Sequence, residues 1–555
     1  MAFSGEDSFR QAIASFQTGR LGDAERLFKE VLRHQPKHIA ALNLLSVVLT
    51  LLKRYAEAEV YIKSALKLNS NSDTTLYNYA IILKSLNRPS EALERFNQAL
   101  SINATIAETW NNRGTVLNDL KRYDDAILDF DKAISLRANY SEAFCNKGKS
   151  LAELKRYDEG LAACDKALSL KPDFAEAWIG RGIVFYDLKR YDEAIAAYDK
   201  ALALKPDLEG AWLGRGNVFF SLNRNVEALT CFDKVIALKK DSAEGYWNKS
   251  LLKLSLGEYE EGWQLYEWRW KSRLFTSPVR NFSQRLWLGN DNIAGKIILV
   301  HSEQGFGDTI QFYRYLLKLK ELGCEIVFET QVPLVPLIKA QKNICQVISQ
   351  GETLPSFDVH CPLLSLPLAF KTTLETIPEP IPYLFPPPEK LELWRTILGP
   401  KNKPRIGFAW SGNPQHANDI RRSLPLELLL PIINSAAEWH SLQKDVRESD
   451  RNSLKSNPTI IDHARSLNDF SDTAALIAEL DLVISIDTAV AHLAGALGKP
   501  EWILLPFHPD FRWVRDREDC PWYPTARLFR QTEDGEWGSV IDRVSQELKI
   551  FLAAS

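Results

Sequence analysis

His301-Ser302-Glu303-Gln304-Gly305-Phe306-Gly307-Asp308-Thr309-Ile310 follows a short apolar run, Ile297 to Val300, and precedes a stretch with helical periodicity. A strand, a tight glycine turn and a helix N-terminus in that order make a place to hold an anion or to aim a carboxylate. On either side of this stretch the sequence has a different character.

Downstream, short β-rich runs alternate with helical patterns. The runs are Ile297–Val300, Glu325–Glu329, Arg405–Trp410, Trp439–Leu442, Leu482–Ile486 and Trp502–Leu505. Such alternation predicts parallel sheets built from βαβ units. Between them Ile377 to Pro388 holds six prolines, a density that blocks helix and central strand and reads as a stiff linker. The expected layout is an N-terminal lobe over 291–376, the linker at 377–388 and a C-terminal lobe over 389–555. Two lobes leave a cleft, and open sheets take ligands at the carboxyl ends of their strands.

Upstream, Trp110, Phe144, Trp178, Trp212 and Tyr246 recur every 34 residues, in a register that extends back to Leu76, Leu42 and Ser8. Four places after four of these aromatics stand Gly114, Gly148, Gly182 and Gly216, and Lys-Arg-Tyr turns follow at 121–123, 155–157 and 189–191. Each unit reads as two amphipathic helices that cannot bury an apolar face alone, so neighbours stack into a solenoid. The pattern resembles tetratricopeptide repeats. About eight 34-residue units are expected over residues 1–276, with 277–290 as a connector. The last unit, with Trp263, Trp268 and Trp270, is more aromatic than the others and reads as a cap that buries the end of the solenoid against the next domain.

Asn78, Asn112, Asn146 and Asn248 share one repeat position, interrupted by Gly180 and Gly214. They are either a row that hydrogen-bonds an extended peptide or polar residues of a solvated helix face. The row resembles the asparagine ladder of the protein O-linked N-acetylglucosamine transferases.

A formal charge of −3 gives no general attraction to nucleic acid or anionic membrane. The seven scattered cysteines form no CxxC pair and fit reduced thiols and a cytoplasmic location. Met1 to Arg10 lacks the apolar run of a secretory signal, and no apolar stretch is long enough to span a membrane.

Three segments carry candidate chemistry. Asp308 follows the glycine turn, either as a general base on a hydroxyl or as an N-terminal cap of the helix. Asp487-Thr488-Ala489 ends the strand Leu482–Ile486 and starts a small-residue helix whose amides suit a diphosphate, with Asp487 placed for hydroxyls. His492, one turn inside, either touches phosphate or packs. Trp410-Ser411-Gly412-Asn413 with Arg421 and Arg422 offers donors matched to phosphate oxygens. The turn at 305–308 is neither a dinucleotide fingerprint nor a Walker loop. Metal signatures are missing, since Asp129-Phe130-Asp131 falls inside a repeat helix, so arginine and a helix end are expected to neutralise phosphate.

Together the segments resemble the glycosyltransferase-B architecture, most closely the heptosyltransferase-type glycosyltransferases, over residues 291–545. The resemblance rests on Gly-Phe-Gly-Asp at 305–308 and Asp-Thr-Ala-Val-Ala-His-Leu at 487–493. It implies that Asp308 is the base, that Arg422 holds the donor diphosphate and that Asp487 meets the donor sugar. It further implies that the Thr488 and Ala489 amides meet phosphate, that Ser411, Gly412 and Asn413 line the same pocket, and that Gln443 lies near the nucleoside. The expected fold is therefore an all-α tetratricopeptide solenoid followed by two Rossmann-like lobes of a glycosyltransferase-B fold. The expected activity is metal-independent, inverting transfer from a nucleotide-diphospho-sugar to a hydroxyl, of hexosyl or heptosyl type. The nucleotide-sugar is a co-substrate, no separate cofactor is required, and the repeats recruit a protein or peptide. Two alternatives stand beside it: a tetratricopeptide scaffold whose transferase-like region is inactive, and a transferase acting on a glycan or lipid.

Overall fold

In a computed structural model of the chain, residues 5–379, 381–415 and 419–554 are described; Pro380 of the proline-dense stretch lies outside them. The chain divides into two compact units, Met1–Leu238 and Lys239–Ser555.

The first unit consists of helix pairs, from Gly5–Gln17 with Leu21–His34 to Glu209–Ser221 with Asn225–Leu238. Its register has a steric basis. A Cβ added to Gly114, Gly182 or Gly216 would fall 2.7 Å from a ring carbon of Phe130, Tyr198 or Phe232, so the second helix of each pair seats its aromatic in the notch left by the first. The turn between paired helices is left-handed in every unit: Gly19, Lys53, Asn87, Lys121, Lys155, Lys189 and Asn223 have φ between 56° and 73°. Lysine and asparagine tolerate that conformation in single residues at a modest cost.

The second unit begins with the eighth helix pair, α1 (Ala243–Ser255) and α2 (Tyr259–Tyr266). Two parallel sheets follow. The first orders its strands β1 (Arg285–Leu286), β5 (Val359–Pro362), β2 (Ile297–His301), β3 (Glu325–Thr330) and β4 (Gln346–Ser349). The second orders β11 (Ala526–Arg530), β10 (Glu501–Leu505), β9 (Leu482–Ile486), β6 (Arg405–Ala409), β7 (Glu438–Ser441) and β8 (Ile460–Asp462). The six strands read from sequence are present within a residue or two. β1, β4, β5, β8 and β11 were not foreseen, four of them having the partly exposed pattern of edge positions or short length.

The proline-dense stretch has no regular secondary structure from 382 to 387, and Pro388 opens the helix Pro388–Leu398, where its missing N–H is no loss. Tyr383 within it is buried, donating from its hydroxyl to the Ile310 carbonyl (3.1 Å) and from its amide to the Ala496 carbonyl (3.0 Å). One apolar core includes Trp263 and Tyr266 of α2, Val300 of β2, Phe312, Leu505 of β10 and Trp522. The eighth helix pair is thus part of the second unit's core. Among the described residues no helix is long and apolar enough to cross a membrane.

Candidate active site

In the second sheet β6 and β9 are neighbours, and from them the chain winds outward in opposite directions. Ligands of open α/β sheets bind at such a switch point, outside the carboxyl ends of the strands. The loops that leave these two ends are Trp410–Asn413 and Asp487–Thr488.

The first loop is held from below. Gln443 accepts from the Ser411 amide (3.2 Å) and donates to the Ser411 carbonyl (2.9 Å). The Trp410 indole donates to buried Asp450 (2.9 Å). Gly412 is needed for space, because a Cβ there would lie 2.8 Å from Arg422 Nη2 and 2.9 Å from Asp419 Oδ1. Arg422 joins the two loops by donating to the Asp487 carbonyl (2.9 Å). Ser411, Gly412, Arg422, Gln443 and Asp487 therefore converge. Gln443 grips the Ser411 backbone, while Asn413 is exposed and accepts from the Gln415 amide (2.9 Å).

Thr488 precedes helix α4 (Ala489–Ala496), and its side chain makes no capping bond. The first-turn amides, including that of Ala489, thus have no intrahelical acceptor. His492 is buried, with Nδ1 3.0 Å from the Tyr523 hydroxyl and its ring stacked 5.0 Å from Trp513. Burial, assisted by Arg512, holds its pKa well below the ordinary value. Of its two sequence readings the structure shows the packing, with 4% of the residue exposed.

Helix α3 (Phe306–Phe312) packs on α4, and Gly307 is where they touch: a Cβ there would fall 2.6 Å from His492 Cδ2. This approach puts Asp308 at the second sheet's crevice. One carboxylate oxygen accepts from the Gly305 amide (2.8 Å), and the other accepts from Arg512. Gly305 is thus the N-cap of α3, and Asp308, three residues on, reaches back to its amide while also pairing with Arg512. Arg512 also donates to Asp510 (2.6 Å). Burial raises the Asp308 carboxyl above its ordinary value against the opposing pull of Arg512. Asp487 is pushed up to about 6 by burial and then by Asp510, with Arg422 opposing.

Arg512, Asp510 and Trp513 were missed in the sequence. They stand on the loop after β10, and the run Pro509-Asp510-Phe511-Arg512-Trp513-Val514-Arg515 just past a strand end was an available signal. Val514 has φ +39°, a rare conformation for a β-branched residue, and Arg530 donates to the Trp513 and Val514 carbonyls at 2.6 Å each.

The turn's other residues reach α2 and its continuation. Arg269, fully buried, bonds both oxygens of buried Glu303 (2.8 and 3.2 Å), and Gln304 donates to the Tyr266 hydroxyl (2.8 Å).

In the first unit, the asparagines of the repeat row bond the preceding unit. The amides of Asn78, Asn112 and Asn146 donate to Asn43 (2.9 Å), Tyr77 (2.7 Å) and Asn111 (3.0 Å). Where the row breaks, a Cβ on Gly214 would lie 2.4 Å from the Tyr198 ring, and one on Gly180 would lie 3.2 Å from Cys164 Sγ. Asn248 falls in the second unit. Among the described residues no group of three or more His, Cys, Asp or Glu side chains is arranged to hold a metal ion. A cavity of about 500 Å³ lined by Tyr259, Gln264, Leu374 and Glu375 opens beside α2, away from the strand ends.

Comparison with known proteins agrees with the repeat register. Residues 9–73, 107–140, 145–209 and 185–249 match tetratricopeptide repeat models. Residues 466–505 match glycosyltransferase family 9 (heptosyltransferase), a segment that contains Asp487, Thr488, Ala489 and His492 but not Asp308, Arg422 or Arg512. Protein FlbA of Caulobacter vibrioides is 28% identical over 336 residues, 55% of this chain and 55% of that protein. The chain thus spans about half the length of this curated relative. A tetratricopeptide repeat protein from Parabacteroides merdae superposes with a TM-score of 0.41 at 21% identity, over 45% of this chain and 98% of that one. YrrB, described as having an unusual peptide-binding site, gives 0.28 at 23% identity, over 33% and 95%.

Proposed function

We propose that the second unit is a glycosyltransferase of glycosyltransferase-B architecture that moves a sugar from a nucleotide-diphospho-sugar to a hydroxyl. The observation that carries this reading is the contact of Gly307 with His492. Through it, a carboxylate on the first sheet's glycine turn stands at the switch point of the second sheet, beside a segment matching family 9. The donor's diphosphate lies against Arg422 and the amides of Thr488 and Ala489, with Ser411, Gly412 and Asn413 lining the pocket and Asp487 facing the sugar. Asp308 takes the acceptor's proton as the acceptor oxygen attacks the anomeric carbon. The bond from that carbon to the diphosphate breaks on the opposite face, which inverts the centre. The leaving charge is met by a guanidinium and a helix end, donors that do for phosphate what a divalent ion does elsewhere, so we read the reaction as metal-independent. The sugar is a hexose or heptose by family likeness. The repeats recruit a protein or peptide acceptor.

Asp308→Asn should keep nucleoside diphosphate binding and lower transfer about 10²- to 10⁴-fold. Transfer at the wild-type rate in that variant removes Asp308 from the mechanism. A second reading, a scaffold with an inactive site, draws on the engagement of both Asp308 oxygens by Gly305 and Arg512. A melting-temperature panel of nucleotide diphosphates and their sugars separates the two, since any ligand of the folded site raises the transition by mass action. No response to any of them favours the scaffold.

A further inference from the structure

We propose that Arg512 is a ligand of the donor's diphosphate which Asp308 holds in waiting, so that donor arrival and release of the base are one movement. This rests on the glycosyltransferase reading above. Arg512 offsets part of the basicity that burial gives Asp308, because accepting a proton forfeits the pair. For Asp308 to act, something must draw Arg512 away, and the donor's diphosphate is the strongly anionic reactant.

The surroundings permit that exchange. Arg512 is shared between two carboxylates, so it stays tethered to Asp510 when it leaves Asp308. Its side chain is 7% exposed and its Nε–H is buried without an acceptor among the described residues. Arg422 Nε is likewise buried without a hydrogen-bond acceptor among them, with Asp419 Oδ1 at 3.9 Å. Two guanidinium groups with donors in reserve thus flank the uncapped start of α4, and the field of both reaches the Asp487 carboxyl. The backbone under Arg512 is held, with Asp510 accepting from the Arg512 amide (3.0 Å) and Arg530 clamping the next two carbonyls. The guanidinium rests on the faces of Phe511 and Phe312, at 4.3 and 5.8 Å, contacts that carry no hydrogen bond to be broken when it moves. Only the side chain has to move. The other groups that face Asp308 are the Gly305 amide, Asp510 and, from α2, Tyr266; His492 and Asp487 stand beyond.

The test is calorimetric titration of the full chain with inorganic pyrophosphate and with UDP. Arg512→Gln should bind pyrophosphate about 10- to 100-fold more weakly than wild type, the loss of one or two charge-assisted hydrogen bonds. Asp308→Asn should bind it several-fold more tightly, because the competing carboxylate is gone, and the double variant should behave as Arg512→Gln alone. Unchanged affinity in Arg512→Gln, or weaker binding in Asp308→Asn, overturns the proposal; so does failure of both probes to bind wild type. If Arg512→Gln does not fold, Arg512→Lys keeps the charge without the fork and should show a smaller loss of the same sign. Sugar transfer enters none of these readouts. A wild-type chain that binds pyrophosphate in this pattern yet transfers no sugar refutes the glycosyltransferase reading and leaves the exchange standing.

Discussion

Glu501 is fully buried at the start of β10, and neither carboxylate oxygen has a partner among the described residues. Burial raises its pKa well above the ordinary value, so the folded chain keeps it protonated. The linkage has a definite sign. Below about pH 4.5 folded and unfolded states are both protonated and the pH-dependent cost of Glu501 vanishes; above it the unfolded chain gains by ionising and the fold loses ground. Glu501→Gln should therefore raise the second unit's stability by about 1–3 kcal/mol at pH 7, with the gain vanishing near pH 4. Melting curves at the two pH values check this, and an equal effect at both contradicts it. Arg269 and Glu303 make the opposite case, a buried charge with its counterion. Glu303→Leu strands the Arg269 guanidinium and should cost about 3–5 kcal/mol, whereas adding Arg269→Met should recover most of that. If the double variant is no better than the single one, Glu267 and Ser365 rather than Glu303 hold the guanidinium. Asp308, Asp487 and Arg422 stood out as candidates in the sequence because each follows a strand end or sits beside a small-residue turn. Arg512 was not, since its importance comes from two partners, one of them 204 residues away in sequence.

Elements meet where a side chain is absent. In the tight glycine turn, Gly307 is what lets α3 touch α4. His492 cannot give way, because Tyr523 and Trp513 fix its ring. Gly307→Ala gains helix propensity of about 1 kcal/mol and meets an overpacking cost of about 1–3 kcal/mol. It should lower the second unit's melting temperature and reduce transfer more than it reduces pyrophosphate binding. A variant with unchanged melting and transfer would show that the helices have slack there. The repeat helices obey the same rule, with Gly182 and Gly214 both admitting Tyr198. Periodicity exposed those glycines, but not which ring each receives. The asparagine row was equally visible, yet its hydrogen-bond partners lie 35 residues back, in the neighbouring unit of the stack.

At the scale of the whole molecule, acid should act on the second unit through its buried histidines. His301 and His440 are pushed down to about 3, by burial first and then by His360 and His463 respectively. Their contribution is intact above about pH 6.5, the unfolded value, and is lost as pH falls, because only the unfolded chain binds the proton. Each should steepen the loss by up to about 1.4 kcal/mol per pH unit. Denaturation midpoints at pH 6.5 and 4.5 measure it, and a double His301→Gln, His440→Gln variant with an undiminished slope would refute it. By itself the sequence determined the 34-residue repeat, the change to alternating strands and helices, and the loops at strand ends, because each of these is a local pattern of burial along the chain. Only the tertiary structure decided that His492 packs and that Arg512 closes on Asp308. Those outcomes depend on which distant loops converge and on the shape each leaves for the other, and no short stretch of sequence carries that energy.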